Sequence, residues 1–184
     1  GPGSGALAIS ILKQLLKMDL KPRAYYMVDV SEDLIERQKN RISTELPEIC
    51  DSVIWISEIP DGFSGIVIGN EVIDSMPFER FMISDKRILQ FFVGIKEKEL
   101  VYELEPAHPE LKKYVKQIED KIGKYLCDGF TSEVSFKGRD WINEISLRLN
   151  QGMVILLDYG VSRSEYYSDD KNQGWMHCHF KRHK

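Results

Sequence analysis

Asn70 and Glu71, with Asp74 three residues further on, directly follow the apolar, β-branched run Ile66-Val67-Ile68. Such a run reads as a strand buried on both faces, as parallel strands of α/β proteins are. In open α/β sheets the crevice beyond the carboxyl ends of the strands is where ligands bind. An amide and two carboxylates delivered there offer acceptors to a cationic or amine-bearing group. The same residues also fit a strand followed by a capped helix, with Asp74 as N-cap and Pro77 in the first turn.

A second group of residues opens the chain. Gly1, Gly3 and Gly5 precede a segment whose apolar positions Leu7, Ile11, Leu12, Leu15 and Leu16 follow helical spacing. Glycines at a turn into a helix let the backbone approach a ligand, and the helix N-terminus supplies free N–H groups and positive potential. About 24 residues after Gly5, Asp29 lies near the carboxyl end of the strand-like run Ala24–Val30, close to the offset at which an acid takes up ribose hydroxyls. Glycine turn, helix, strand and acid together point to an adenosine-type cofactor. Gly-Pro-Gly-Ser is also the sequence an expression tag leaves behind.

The elements that must position these groups alternate between strand and helix. Ser31 reads as the N-cap of a helix carrying Leu34, Ile35, Gln38 and Ile42. Val53–Ile56 reads as a short strand ended by the turn Ile59-Pro60-Asp61-Gly62. From Arg80 to Glu105 the order changes. Two β-rich runs, Ile88–Val93 and Leu100–Leu104, flank polar Lys96–Glu99 as in a hairpin. Pro109–Leu126 predicts an amphipathic helix with Leu111, Val115, Ile118 and Ile122 on one stripe. Thr131–Phe136 reads as a short strand, Trp141–Leu149 as a helix, and Gly152–Gly160 as a strand with the polar end Asp158-Tyr159. No repeat, low-complexity tract or second-domain linker is visible.

Composition fits an enzyme domain. The chain has 184 residues, 42% of them hydrophobic, enough for one domain with a core. Lys and Arg total 25 against 29 Asp and Glu, a net charge of −4 that gives no general attraction to nucleic acid. Cys50, Cys127 and Cys178 are odd in number and far apart, as in a reducing compartment. No apolar run reaches membrane-spanning length, and no signal peptide is visible. His177, Cys178, His179 and His183 have zinc-binding residue types, but their spacing in a polar tail with Lys181 and Arg182 argues against a metal site. Glu133, judged by residue type alone, belongs on the surface.

Taken together these residues resemble the MidA-like family of S-adenosylmethionine-dependent methyltransferases, which includes the mitochondrial protein arginine methyltransferase that assists respiratory complex I assembly. The likeness runs through nearly the whole chain: Gly1–Leu7, Val28-Asp29-Val30-Ser31 with Leu34 and Gln38, then Trp55 and Pro60. It continues through Asn70-Glu71…Asp74…Pro77…Phe81, Glu133-Val134, Asp158-Tyr159-Gly160 and Gly174…His183. It departs at Trp175-Met176, where the family has Thr-Leu, and at Asp29, where Glu is commoner.

The resemblance implies a class I methyltransferase (Rossmann-like) α/β sheet of strand order 3-2-1-4-5, with a β-hairpin and helical segment inserted at 80–135 between the fourth and fifth strands. In that order the glycine turn follows the central strand. The chain is accordingly expected to be a fragment, 1–184, of one methyltransferase domain truncated at both ends, without that strand and without the strands beyond the fifth. S-adenosyl-L-methionine is the implied cofactor, with Gly1, Gly3, Gly5, Asp29, Ser57 and Asn70 around it. The resemblance implies a substrate pocket of Glu71, Asp74, Asp158, Tyr159 and His183, with an arginine side chain of a protein as acceptor. A homodimer is compatible with it, as is a bacterial cytoplasm or the mitochondrial matrix. Two other classes remain open: a methyltransferase acting on a small molecule or RNA, and a catalytically inactive assembly or binding factor of the same fold.

Overall fold

A computed structural model describes residues 1–177. In chain order its elements are α1 (Ala6–Lys17), β1 (Tyr25–Val28), α2 (Glu32–Glu45), β2 (Val53–Ile56), β3 (Phe63–Asn70), β4 (Glu79–Ser84), β5 (Arg87–Lys96), β6 (Glu99–Pro106), α3 (Pro109–Ile122), β7 (Thr131–Val134), α4 (Phe136–Arg148), β8 (Leu149–Leu157) and α5 (Arg163–Tyr166). They fall into two compact units, one of Gly1–Ser75 with Trp141–Asp158, the other of Met76–Asp140 with the residues from Tyr159 on.

In the first unit β1 pairs parallel with β2, from Tyr25↔Val53 to Val28↔Ile56. β3 pairs parallel with β8, from Phe63↔Leu149 to Asn70↔Leu157 with one register shift after Phe63. The two pairs are separate two-stranded sheets. Helical spacing on α1 puts Ala8, Ile9 and Leu12 on one face, where they meet Ile42, Leu46, Ile49, Met27 and Val53 in a closed core. Ser31 caps α2 by accepting the Leu34 N–H at 3.4 Å, as its residue type predicts.

The expectation that β3 is buried on both faces fails. Ile66 is 62% and Ile68 41% exposed. Neither β3 nor β8 supplies a residue to a core cluster, but the opposite face of β3 is partly covered, with Val67 half-buried and Gly69 buried beside Trp141 of α4. An apolar run shows that a strand can be covered, not what covers it.

In the second unit four antiparallel strands lie in the order β6-β5-β4-β7. α3 sets Leu111, Val115 and Ile118 against Phe81, Ile83, Phe130 and Val134. α3 is capped by His108, whose Nδ1 accepts the Leu111 N–H. It stops at Ile122 rather than Leu126, because Gly123 adopts φ 71° and returns its N–H to Glu119. α4 begins five residues before the expected Trp141, since Ser135 Oγ accepts the Gly138 N–H and so caps it earlier.

Candidate cofactor-binding and carboxylate site

The opening glycines form a tight turn. The Gly5 N–H donates to Pro2 O at 3.0 Å. Gly3 and Gly5 have φ of 55° and 77°, conformations in which a side chain is strained. Gly5 is the N-cap of α1 and offers no side-chain cap, so the first amides of the helix keep their donor capacity. A Cβ on Gly3 would find nothing within 4 Å, so the turn's outer side is open to a ligand.

Asp29 stands one residue beyond β1 and is only 9% exposed. Its Oδ1 accepts the Ser31 N–H at 3.1 Å and its Oδ2 accepts Gln38 Nε2 at 2.8 Å. Gln38, fully buried on α2, also donates to Gly3 O at 2.7 Å and accepts from Trp55 Nε1 at 3.0 Å. One amide therefore ties the glycine turn, the end of β1 and β2 together. Sequence reasoning saw Gln38 only as a position on a helix face. The available signal was a polar residue four positions before Ile42 on an otherwise apolar stripe. Each Asp29 oxygen retains acceptor capacity beyond its one internal bond, which suits a vicinal diol. Ser57 is exposed just past β2.

Gly1 links this region to the second carboxylate group. Its nitrogen donates to Val28 O at 3.2 Å, and a Cβ on Gly1 would lie 3.9 Å from Val72 Cγ2. The Gly1 nitrogen thus bonds the end of β1, and Val72, in the segment after β3, lies near the same residue. Asn70 ends β3 exposed. Glu71 prolongs the β3–β8 pairing through its N–H to Leu157 O at 2.8 Å, yet takes φ 50°. A non-glycine residue in this region carries backbone strain. The carboxylates of Glu71 and Asp74 are exposed and enter no hydrogen bond or ion pair among the described residues.

No helix follows Asp74; residues 71–77 form turns that lead into β4. Asp158, at the end of β8, explains this, since its Oδ2 accepts the N–H groups of Ile73 (2.9 Å) and Asp74 (3.3 Å). Two amides that a helix would leave for its own cap are bound from a distant strand, and Asp158 sets the shape of the carboxylate-bearing turn.

In the second unit Tyr159 is 85% exposed. Glu133 is buried, contrary to the expectation from its type, with 6% exposure. It pairs with Arg80 at 3.4 Å and accepts the Trp175 N–H at 2.8 Å. Burial pushes its carboxyl above the ordinary range, opposed by the Trp175 N–H and Arg80. Gly174, at φ 82°, packs against this carboxylate with no room for a Cβ. His183, like Cys178 and His179, lies outside the described residues. Among the described residues no three His, Cys, Asp or Glu side chains gather as a metal site, and no helix is long and apolar enough to cross a membrane.

A glycine turn into a helix, followed by a strand-end acid in a parallel α/β unit, defines a nucleoside-cofactor enzyme of the Rossmann-like class. Two solved structures from Burkholderia thailandensis share the fold. One is a COG1565 superfamily member bound to S-adenosyl-homocysteine, 27% identical, TM-score 0.85, covering 95% of this chain and 44% of that one. The other is an uncharacterized COG1565 superfamily protein, 26% identical, TM-score 0.90, covering all of this chain and 48% of that one. A protein arginine methyltransferase NDUFAF7 homolog, mitochondrial, from Caenorhabditis elegans is 29% identical over 112 residues, 52% of this chain and 26% of that protein. The chain thus spans at most about half the length of the relatives it matches.

The family model described as "Putative S-adenosyl-L-methionine-dependent methyltransferase" matches residues 1–184. The chain belongs to this S-adenosylmethionine-dependent, MidA-like methyltransferase family.

Proposed function

We propose that this chain is the cofactor-binding and substrate-orienting part of a protein arginine N-methyltransferase linked to respiratory complex assembly, acting in the mitochondrial matrix or, in a bacterium, the cytoplasm. The observation that carries the reading is the pair of exposed, unpartnered carboxylates of Glu71 and Asp74 beside a glycine turn that also touches the end of β1. The arginine methyltransferase name of the worm relative supports the acceptor.

The residues present fit the cofactor. Gly1, Gly3 and Gly5 offer a close-approach backbone and helix amides, Asp29 offers acceptors for the ribose, and Ser57 and Asn70 stand at the ends of β2 and β3. When bound, the cofactor supplies a methyl group already activated on a positive sulfonium. The protein's task is then alignment and exclusion of water. Glu71 and Asp74 pair with the planar guanidinium and fix which nitrogen faces the methyl group. Transfer would break the sulfur–methyl bond and leave a neutral thioether, while the acceptor nitrogen would gain the methyl and lose one proton to Glu71, Asp74 or water. Asp158 acts through the Ile73 and Asp74 amides by holding the turn that aims both acids. Tyr159 and His183 are assigned to the acceptor side by the family resemblance alone.

The separate pairs β1–β2 and β3–β8 are, in the same reading, the outer pairs of one parallel sheet. Each leaves an edge unpaired among the described residues, and Gly1 lies against both Val28 and Val72. One further parallel strand feeding the glycine turn would satisfy both edges.

Radiolabelled methyl transfer to cell-extract proteins by the full-length enzyme, with mass spectrometry of the labelled side chain, tests the function. Label on arginine is expected. Label on lysine, RNA or a small metabolite contradicts the acceptor assignment, and no transfer at all points to an inactive binding factor.

A further inference from the structure

The second unit carries an edge that the methyl-transfer reading does not use. β6 is the outermost strand of its sheet and pairs only with β5, from Leu89↔Pro106 to Lys96↔Glu99. The strands are joined by the two-residue loop Glu97-Lys98, at φ 52° and 71°, the left-handed pair a type I′ hairpin needs. In such a hairpin the flanking pair Lys96/Glu99 is hydrogen-bonded, and the pairs alternate from there. The Ala107 N–H donating to Ile88 O at 3.0 Å fixes the same phase at the other end. The N–H and C=O groups of Glu99, Val101, Glu103 and Glu105 therefore face β5, and those of Leu100, Tyr102 and Leu104 face outward.

The two faces of this edge differ. Leu100 (77% exposed), Tyr102 (57%) and Leu104 (42%) stand beside Val93 (66%) and Ile95 (77%) as one apolar strip. Glu99, Glu103 and Glu105 stand exposed on the opposite face, none in an ion pair. A long, exposed, apolar edge with open backbone groups is normally blunted by charged side chains, lysine above all, or covered; the charges on this strand are three carboxylates.

A second copy of β6 fits this edge poorly. In-phase antiparallel pairings across a two-fold axis can centre on Val101, Tyr102 or Glu103. They place Glu99 opposite Glu103, Glu99 opposite Glu105, or Glu103 opposite itself, and like charges directly opposite destabilise a sheet.

We propose that the outer edge of β6 is a docking strand for an extended partner segment that alternates apolar residues with lysine or arginine. Its backbone would continue the sheet, its apolar side chains would cover the Leu100-Tyr102-Leu104 strip, and its cations would meet Glu99, Glu103 and Glu105. The inference stands on the edge alone, and its test reads binding rather than methyl transfer.

The test is fluorescence anisotropy at about 0.15 M salt with the full-length protein and labelled acetyl-Lys-Val-Lys-Val-Lys-Val-Lys-amide. Three controls accompany it: the same peptide N-methylated at its valines, the peptide N-methylated at its lysines, and the Glu-for-Lys peptide. Saturable binding is expected, at least about tenfold weaker for whichever N-methylated peptide blocks the edge-facing amides. Affinity should fall at least about tenfold in the Glu99→Lys/Glu105→Lys variant, which should instead take the Glu peptide. Equal binding of all the Lys peptides would reduce the interaction to non-specific charge attraction and overturn the proposal. So would absence of saturable binding, or unchanged affinity in the charge-reversed variant. Sedimentation showing a dimer that Leu100→Glu abolishes would assign the edge to a second copy and overturn it as well.

Discussion

Two strand ends in the first unit carry acids, and they are built in opposite ways. At the end of β1, Asp29 is nearly buried and has one internal hydrogen bond on each oxygen, with Gln38 holding it against the glycine turn. At the end of β3, Glu71 and Asp74 are exposed, have no partner on their carboxylates, and sit on a turn that contains a strained φ and is held by Asp158. An acid that receives neutral hydroxyls gains from being immobilised in advance, because fewer rotamers are frozen on binding. An acid that awaits a cation keeps its charge uncommitted, and its fixed element is the backbone beneath it. In the proposed reading the contrast sets a cofactor end against a substrate end.

The most severe way to break the comparison is to remove the sheet beneath both ends. Residues 1–184 expressed alone are expected to melt without cooperativity or to aggregate, since β1 and β3 each leave an edge without a strand partner among the described residues. A sharp, reversible transition of the monomeric chain would show that no further strand is needed between them. Next in size is Gln38→Ala. It strips Gly3 O, Asp29 and Trp55 Nε1 of partners in a buried setting, so the full-length protein should lose about 3 kcal/mol in urea unfolding and bind cofactor more weakly. A loss below about 0.5 kcal/mol would mean that the β1 end is not organised by this amide.

Glu71→Gln should lower methyl transfer more than about tenfold, or roughly 1.4 kcal/mol, with cofactor affinity nearly intact. Full activity in both Glu71→Gln and Asp74→Asn would erase the distinction between the two ends. The smallest effect belongs to the second unit. Burial raises the Glu133 carboxyl above its ordinary 4.5, so the folded state binds that proton more tightly than the unfolded one. Its contribution to stability is present at low pH and is lost as pH rises from 4.5 through the raised value. Glu133→Gln should flatten that part of the slope in urea midpoints as pH rises above 4.5. An unchanged slope would show that the carboxylate is ionised at no cost.

Much of the fold was legible because its signals are local. Ser31 lies three residues from the amide it caps, α3 repeats its apolar stripe, and the Lys96–Glu99 segment separates two β-rich runs. Asp29 was legible by its offset from the glycines. The remainder depends on partners far along the chain. Asp158 reaches amides about 85 residues away, Glu133 is buried by Arg80 and Trp175, and Gln38 binds residues from three elements. Nothing within a window of local sequence marks such contacts. Nor does the run Ile66–Ile68 disclose that only one face of its strand is covered.

The central claim is that the glycine turn and Asp29 hold S-adenosylmethionine. Calorimetric titration of the cofactor into the full-length protein and into its Asp29→Ala variant tests it most directly. Saturable binding to the native protein is predicted. The variant should bind about 1.5–3 kcal/mol more weakly, the cost of losing charge-assisted bonds to the ribose. Equal affinity in the two proteins, with both folded, would contradict the assignment.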